Sequence, residues 1–201
     1  MKIIGLTGPS GAGKGSLARE LVRLGCEHID TDAVYHSLTS KKSPCTLELS
    51  ARFGSDVLKK DGSLDRRALA AKVFCGGEMQ EKRLRDLNRI THKYVIEESG
   101  EMLKDAAERG CRWAIVDAPL LIEAKMDRMC DCVVAVIAQR DRRLERIIGR
   151  DGISREAAEK RIDAQKELPF YMSHANYVIE NNGSEDELGA KAAALLLSIG
   201  E

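Results

Sequence analysis

The spacing of apolar positions changes along the chain and divides it into elements. Residues 2–7 (KIIGLT) form a short apolar run that predicts a strand. A Gly-rich turn follows. From Lys14 onward the apolar residues Leu17, Leu21 and Leu24 recur at helical spacing until Gly25 closes the helix. Residues 27–30 (EHID) predict a second strand, bounded by Thr31 and Asp32. Strand, loop, helix and strand in that order make the βαβ unit of a parallel sheet. The stretch from Val34 to Arg109 reads as mostly helical. Within it, residues 61–74 begin with Asp-Gly turn chemistry and continue with Leu64, Leu69 and Val73. A long charged amphipathic run from Met79 carries Leu84, Leu87, Thr91, Tyr94 and Val95, with no proline and only Gly100 as a weak point. Strand chemistry returns at 111–119 (CRWAIVDAP), where Pro119 ends the run, then at 132–138 (CVVAVIA) and 176–180 (NYVIE). After an Asn-Asn-Gly turn, Ser184 and Glu187 predict a capping box for an Ala- and Leu-rich terminal helix.

These elements describe an α/β fold with a parallel sheet of about five strands covered by helices on both faces. About 80 residues separate the second and third strands, far more than a normal crossover, and predict a helical substrate-binding insertion. The expected organisation is a core of residues 1–34 and 110–201 with an insertion at about 35–109.

The first turn carries the chemistry. From Gly8 the chain reads Gly-x-x-x-x-Gly-Lys, the start of a phosphate-binding P-loop, between a strand and an amphipathic helix as that motif requires. Glycines let successive backbone amides converge on phosphate oxygens, and the following helix adds its positive end. Lys14 supplies a mobile charge for the β and γ phosphates. The position that normally carries a Ser or Thr hydroxyl for Mg²⁺ is Gly15, with Ser16 one residue later. The loop resembles that of adenylate kinases, where Mg²⁺ can be held largely through water and substrate oxygens. The expected fold is therefore the three-layer P-loop NTPase fold.

Ligands of such sheets bind beyond the carboxyl ends of the strands. Asp117 closes the apolar run WAIVD and is placed to hold Mg²⁺ through a water. Asp30 and Asp32 end the second strand; with the chain still extended they would share one face, and Asp32 would accept a proton from a hydroxyl acceptor. Glu123 follows the third strand. For Asp30, Asp32 and Glu123, the competing reading is an N-cap or turn carboxylate. Residues 139–161 hold seven Arg and one Lys against five acids. One reading is a solvated helix in which Asp141, Glu145 and Asp151 balance Arg142, Arg146 and Arg150. The other is a lid over about 140–166 whose Arg146 and Arg150 neutralise charge on a transferring phosphoryl group.

Composition adds limits. In 201 residues the acidic and basic side chains balance to a net charge of zero, which gives no electrostatic footprint for a nucleic-acid or membrane-surface binder. The six cysteines show no Cys-x-x-Cys and are expected as thiols. Without a basic-apolar leader or a run near the roughly 20 residues of a membrane span, the expected location is the cytoplasm. A monomer or weak homo-oligomer is expected.

Beyond the P-loop at 8–16, the chain carries HIDTDAVYH after the second strand, FGSDVLKKDGSLDRRALAAKVF at 53–74 and DAPLLIEA at 117–124. LERIIGRDGISREAAEKRIDAQ at 144–165 and ANYVIENNG at 175–183 follow. In these segments and their order it resembles the dephospho-CoA kinases over nearly its whole length. The resemblance implies ATP-dependent phosphorylation of the ribose 3′-hydroxyl of dephospho-CoA, with Mg²⁺, a helical CoA-binding subdomain and a lid. It implies ATP phosphates on Gly11, Ala12, Gly13, Lys14, Gly15 and Ser16, with Ser16 a further Mg²⁺ candidate and adenine near the turn of Asn181 and Asn182. It also implies Asp32 as the base, Arg146 and Arg150 as lid arginines, and an acceptor side that includes Asp32, His92, Leu121 and Glu123. Two departures stand out: the family's usual loop is Gly-Gly-Ile-Gly-Ser-Gly-Lys-Ser-Thr, and His92-Lys93 stands where a His-Pro pair is usual. A kinase of another small nucleotide or nucleoside, or a non-catalytic nucleotide-binding module, are the alternatives.

Overall fold

The computed structural model describes residues 1–200. The chain divides into two compact units, Met1–Ile29 with the chain from Leu103 onward, and Asp30–Met102.

The first unit is built on strands β1 (Lys2–Thr7), β2 (Glu27–Asp30), β3 (Trp113–Asp117), β4 (Cys132–Ile137) and β5 (Tyr177–Glu180), in the order β2-β3-β1-β4-β5. The strand that feeds the glycine-rich turn is thus central. It pairs in parallel with β3 (Ile4 opposite Ile115) and with β4 (Ile4 opposite Cys132). All residues of β3 and β4 are buried, as expected for central strands that read as unbroken apolar runs. Helices α1 (Lys14–Arg23) and α9 (Glu185–Gly200) cover one face, where Leu17, Leu21, Leu188 and Leu195 pack with Ile4, Leu6, Ile115 and Val134. On the other face Gly5 makes room for neighbours: a Cβ there would lie 2.8 Å from Leu121 and 2.9 Å from the sulfur of Cys130. Ser184 caps α9 by accepting from the Glu187 amide at 3.2 Å.

The arginine-rich segment of this unit forms α6 (Arg140–Asp151) and α7 (Arg155–Asp163), joined through left-handed Gly152 and capped at Ser154. Leu144, Ile147, Ala158 and Ile162 hold the two helices together. A short helix, α8 (Leu168–Ser173), precedes β5.

In the second unit lie α2 (Thr31–Thr39), α3 (Pro44–Phe53), α4 (Arg66–Val73) and most of α5 (Gly77–Glu108). Each of the first three starts on a polar cap. Asp30 caps α2, Ser43 caps α3 in a reciprocal box with Thr46, and Asp65 caps α4. Their core is Cys45, Leu49, Phe53, Val57, Leu69, Val73 and Ile90. Helix α5 runs through Gly100 without a break. Among the described residues, no helix is long and apolar enough to cross a membrane.

Candidate active site

The turn between β1 and α1 needs its glycines. Gly11 has φ +78° and Gly13 φ +95°, in the left-handed region that disfavours side chains. Space demands them too: a Cβ on Gly11 would lie 2.5 Å from the Arg143 carbonyl oxygen, and one on Gly13 2.0 Å from Asn181 Nδ2. Helix α1 then opens on Gly13 with no side-chain cap. Amides of a first helical turn have no intrahelical acceptor, so those of Lys14 and Gly15 are suited to an anion.

The carbonyl side of the turn is gripped from outside. Arg143 Nε donates to Ser10 O at 3.0 Å, and its Nη2 donates to Gln165 Oε1 at 3.0 Å. The same Gln165 oxygen accepts the Ser10 amide at 3.0 Å. Arg146 Nη1 donates to the carbonyls of Gly11 (3.3 Å) and Ala12 (3.2 Å). Asn181 Nδ2 also donates to Ala12 O, at 2.9 Å. Arg143 is only 6% exposed, and that burial, with Arg140 nearby, holds its guanidinium below the usual value against an opposing effect of Tyr171.

At the carboxyl end of β3, Asp117 is 8% exposed and faces two basic side chains. Its Oδ1 accepts from Lys14 Nζ. Its Oδ2 faces His28 Nε2 on β2 at 3.5 Å. Burial by itself raises the Asp117 pKa, but His28 and Lys14 outweigh it and hold the carboxyl below the ordinary carboxylate range. Asp117 is therefore a carboxylate at neutral pH. A carboxylate and a glycine-rich anion cradle bridged by one mobile lysine make a site for a polyphosphate.

A family model described as dephospho-CoA kinase matches residues 2–187. The chain belongs to the dephospho-CoA kinase family. Its similarity to dephospho-CoA kinase of Corynebacterium glutamicum is 36% identity over 98% of this chain and 96% of the relative. With dephospho-CoA kinase of Syntrophotalea carbinolica it is 35% identity over 98% and 91%. A crystal structure of a Thermus thermophilus protein is similar over 98% of this chain and 97% of that one, with a TM-score of 0.77 and 29% identity. Dephospho-CoA kinase from Campylobacter jejuni (TM-score 0.72, 24% identity, 99% and 98% covered) shares the fold. A shikimate kinase from Acinetobacter baumannii, solved in complex with shikimate, shares it more distantly (TM-score 0.56, 20% identity, 98% and 94% covered).

Within this dephospho-CoA kinase chain, the expected site residues separate into groups. Gly11, Ala12, Gly13, Lys14, Arg146 and Asp117 converge on the loop. A Cβ added at Gly15 would meet no heavy atom within 4 Å beyond its own helical turn, and Ser16 Oγ accepts from Arg19 at 3.0 Å. Arg150 does not reach the loop. It grips Asp151 (2.7 and 3.0 Å), which also binds Arg161, so that the carboxyl of Asp151 is pushed down to about 2. The charge-balanced reading thus describes Arg150, while Arg146 departs from it. Asn182 is tied to the backbone, its Oδ1 accepting the Gln139 amide at 2.8 Å; its neighbour Asn181 is the residue on the loop. Leu121, expected on the acceptor side, is fully buried and packs against Gly5. Glu123 is exposed in the turn after β3.

The idea that Asp30 and Asp32 share a strand face needs correcting. The strand ends at Asp30, whose Oδ1 accepts the amides of Asp32 (2.9 Å) and Ala33 (3.1 Å), and Asp32 stands exposed in the first turn of α2. His92 is half-buried in α5, and burial lowers its pKa.

Sequence reasoning missed Arg143, Gln165 and His28. A signal existed for Arg143. It falls four residues before Ile147 and next to Leu144, on the apolar side of α6, where a charged residue needs a specific partner. Gln165 and His28 carry no such mark, since Ser10 lies 155 positions from Gln165 and Asp117 lies on a different strand from His28.

Proposed function

We propose that this chain transfers the γ-phosphoryl group of ATP to the ribose 3′-hydroxyl of dephospho-CoA, releasing coenzyme A and ADP. Lys14, poised between the glycine-rich turn and Asp117, is the observation that carries this reading. On nucleotide entry Lys14 transfers from Asp117 to the β and γ phosphates, and the amides from Gly11 to Ser16 wrap the phosphate chain. The bond from the γ-phosphorus to the ADP oxygen breaks as the bond to the 3′-oxygen forms. The hydroxyl proton goes to the carboxylate of Asp32.

Mg²⁺ enters as part of the substrate, Mg-ATP. Among the described residues no three His, Cys, Asp or Glu side chains converge as a metal cage. Ser16 and Asp117 are hard oxygen donors, and this sparse set fits a cation that keeps most of its waters and phosphate ligands. The open space beside Gly15 leaves room for those waters. When bound, the ion neutralises charge on the phosphates.

We assign the helical insertion, with His92, to the acceptor, and Glu123 and the Asn182 turn to the acceptor and adenine ends. Because Arg143 and Arg146 fasten the start of α6 to the turn, the closing lid is the distal end of α6 with α7, where Arg150 sits. Its site of action is the cytoplasm, as a monomer or weak homo-oligomer, without a nucleic-acid partner.

The test is to supply the purified chain with Mg-ATP and dephospho-CoA and follow coenzyme A and ADP together. Absence of coenzyme A from a folded sample overturns the reading. Phosphorylation of AMP, CMP or uridine in its place supports a different acceptor, and ATP binding with no transfer to any of them a non-catalytic module.

A further inference from the structure

We infer that Arg143 and Gln165 are positioning residues that hold the phosphate turn in its nucleotide-receptive form from its outer side. This rests on the nucleotide-binding reading above. A peptide unit is planar and trans, so the carbonyl of one residue and the amide of the next point opposite ways. Fixing the Ser10 carbonyl outward on Arg143 Nε (3.0 Å) therefore turns the Gly11 amide inward. Gln165 takes the Ser10 amide outward at 3.0 Å, so both polar groups of Ser10 are held on the same outer side. The two side chains are themselves joined, Arg143 Nη2 to Gln165 Oε1 at 3.0 Å, which makes one closed figure of three hydrogen bonds.

Three features separate this figure from an incidental surface contact. Arg143 is 6% exposed, so its guanidinium has given up water for these acceptors. The acceptors are a carbonyl and an amide oxygen, so the cation is held for its geometry. The planar fork of a guanidinium suits two acceptors at a fixed separation, which an ammonium cannot match. Finally, the Arg143 backbone lies directly against Gly11, where a Cβ would be 2.5 Å from the Arg143 carbonyl oxygen. The arginine helix is thus seated on the turn by backbone as well as side chain. Residues 143 and 165 contact the turn through Ser10, on its outer side. Their effect reaches nucleotide through amide direction.

The experiment measures ADP binding by calorimetry, KM values for ATP and dephospho-CoA, and thermal unfolding for the full chain. The variants are Arg143→Met, Arg143→Lys, Gln165→Leu and Gln165→Glu. Arg143→Met and Gln165→Leu are expected to weaken ADP at least about tenfold while moving the dephospho-CoA KM less than about twofold. Arg143→Lys, which can serve only one of the two acceptors well, falls between wild type and Arg143→Met. Gln165→Glu keeps the accepting oxygen and restores most of the affinity that Gln165→Leu loses, which a purely space-filling role would not require. ADP affinity unchanged in both Arg143→Met and Gln165→Leu overturns the inference, as does an equal shift in both KM values. Should Arg143→Met fail to fold, the Gln165 pair decides the matter alone. Failure of the wild-type chain to bind ADP would instead overturn the nucleotide-binding reading.

Discussion

Replacing Gly13 with Ala adds one methyl group at the tightest point of the turn. A left-handed conformation costs an L-residue about 1–2 kcal/mol. The new Cβ would also lie 2.0 Å from Asn181 Nδ2, a distance no packing adjustment of tenths of an ångström relieves. Asn181 is 5% exposed, and swinging it away breaks its 2.9 Å hydrogen bond to Ala12 O. An unsatisfied buried polar group adds about 1–3 kcal/mol. The total is about 2–5 kcal/mol. Expressed wholly as lost stability, it lowers the unfolding midpoint by about 4–20 °C for a chain of this length. Expressed wholly as a distorted turn, it weakens ADP by about thirtyfold to several thousandfold. Differential scanning calorimetry and ADP titration on the same samples partition the cost. The Asn181→Ala, Gly13→Ala double variant should be less impaired than the sum of the singles by about 1–2 kcal/mol, because the side chain that blocks the methyl is gone. A Gly13→Ala protein with wild-type midpoint and wild-type ADP affinity would refute this account of the turn.

Three further predictions concern the residues around it. Asp32→Asn should lower kcat by about 10²–10⁴ with the ATP KM moving only a few-fold; equal effects on both would make Asp32 a binding residue. Gly15→Ser places a hydroxyl in open space, so turnover should stay within about threefold and half-saturation by Mg²⁺ should stay or fall; a tenfold loss would mean the position serves another purpose. Asp151, held down to about 2 by Arg150 and Arg161, contributes stability that is complete above its unfolded value near 3.9 and is lost as pH falls through about 2. Asp151→Asn should therefore flatten the unfolding midpoint between pH 5 and pH 2, and an unchanged acid slope would show that the pair does not couple to folding.

The fold was legible because its main elements are long or strongly patterned. Central strands such as WAIVD and CVVAVI bury both faces and so appear as unbroken apolar runs, and the glycine-rich turn between strand and helix has no common substitute. Strand ends were harder. At EHID the periodicity is compatible with extension through Asp32, but the Asp30 side chain satisfies two amides and starts a helix there, which is a local hydrogen-bonding outcome that apolar spacing does not register. The arginine segment shows the same limit from another side. Arg146 and Arg150 are one helical turn apart with similar neighbours, yet one meets backbone carbonyls and the other meets Asp151. That choice depends on what the fold brings opposite each, over 130 positions away for Arg146. The burial of Leu121 was hidden for the opposite reason: a motif marks a position without saying which way its side chain turns.

If Lys14 serves the phosphates as proposed, its bond to Asp117 makes nucleotide capture an exchange. Each incoming phosphate tail must win the ammonium from a carboxylate already in place, and each departing ADP hands it back. A short anion such as free phosphate offers little in return for that displacement. On the proposed function, the site without nucleotide keeps its cation folded inward on Asp117 between turnovers.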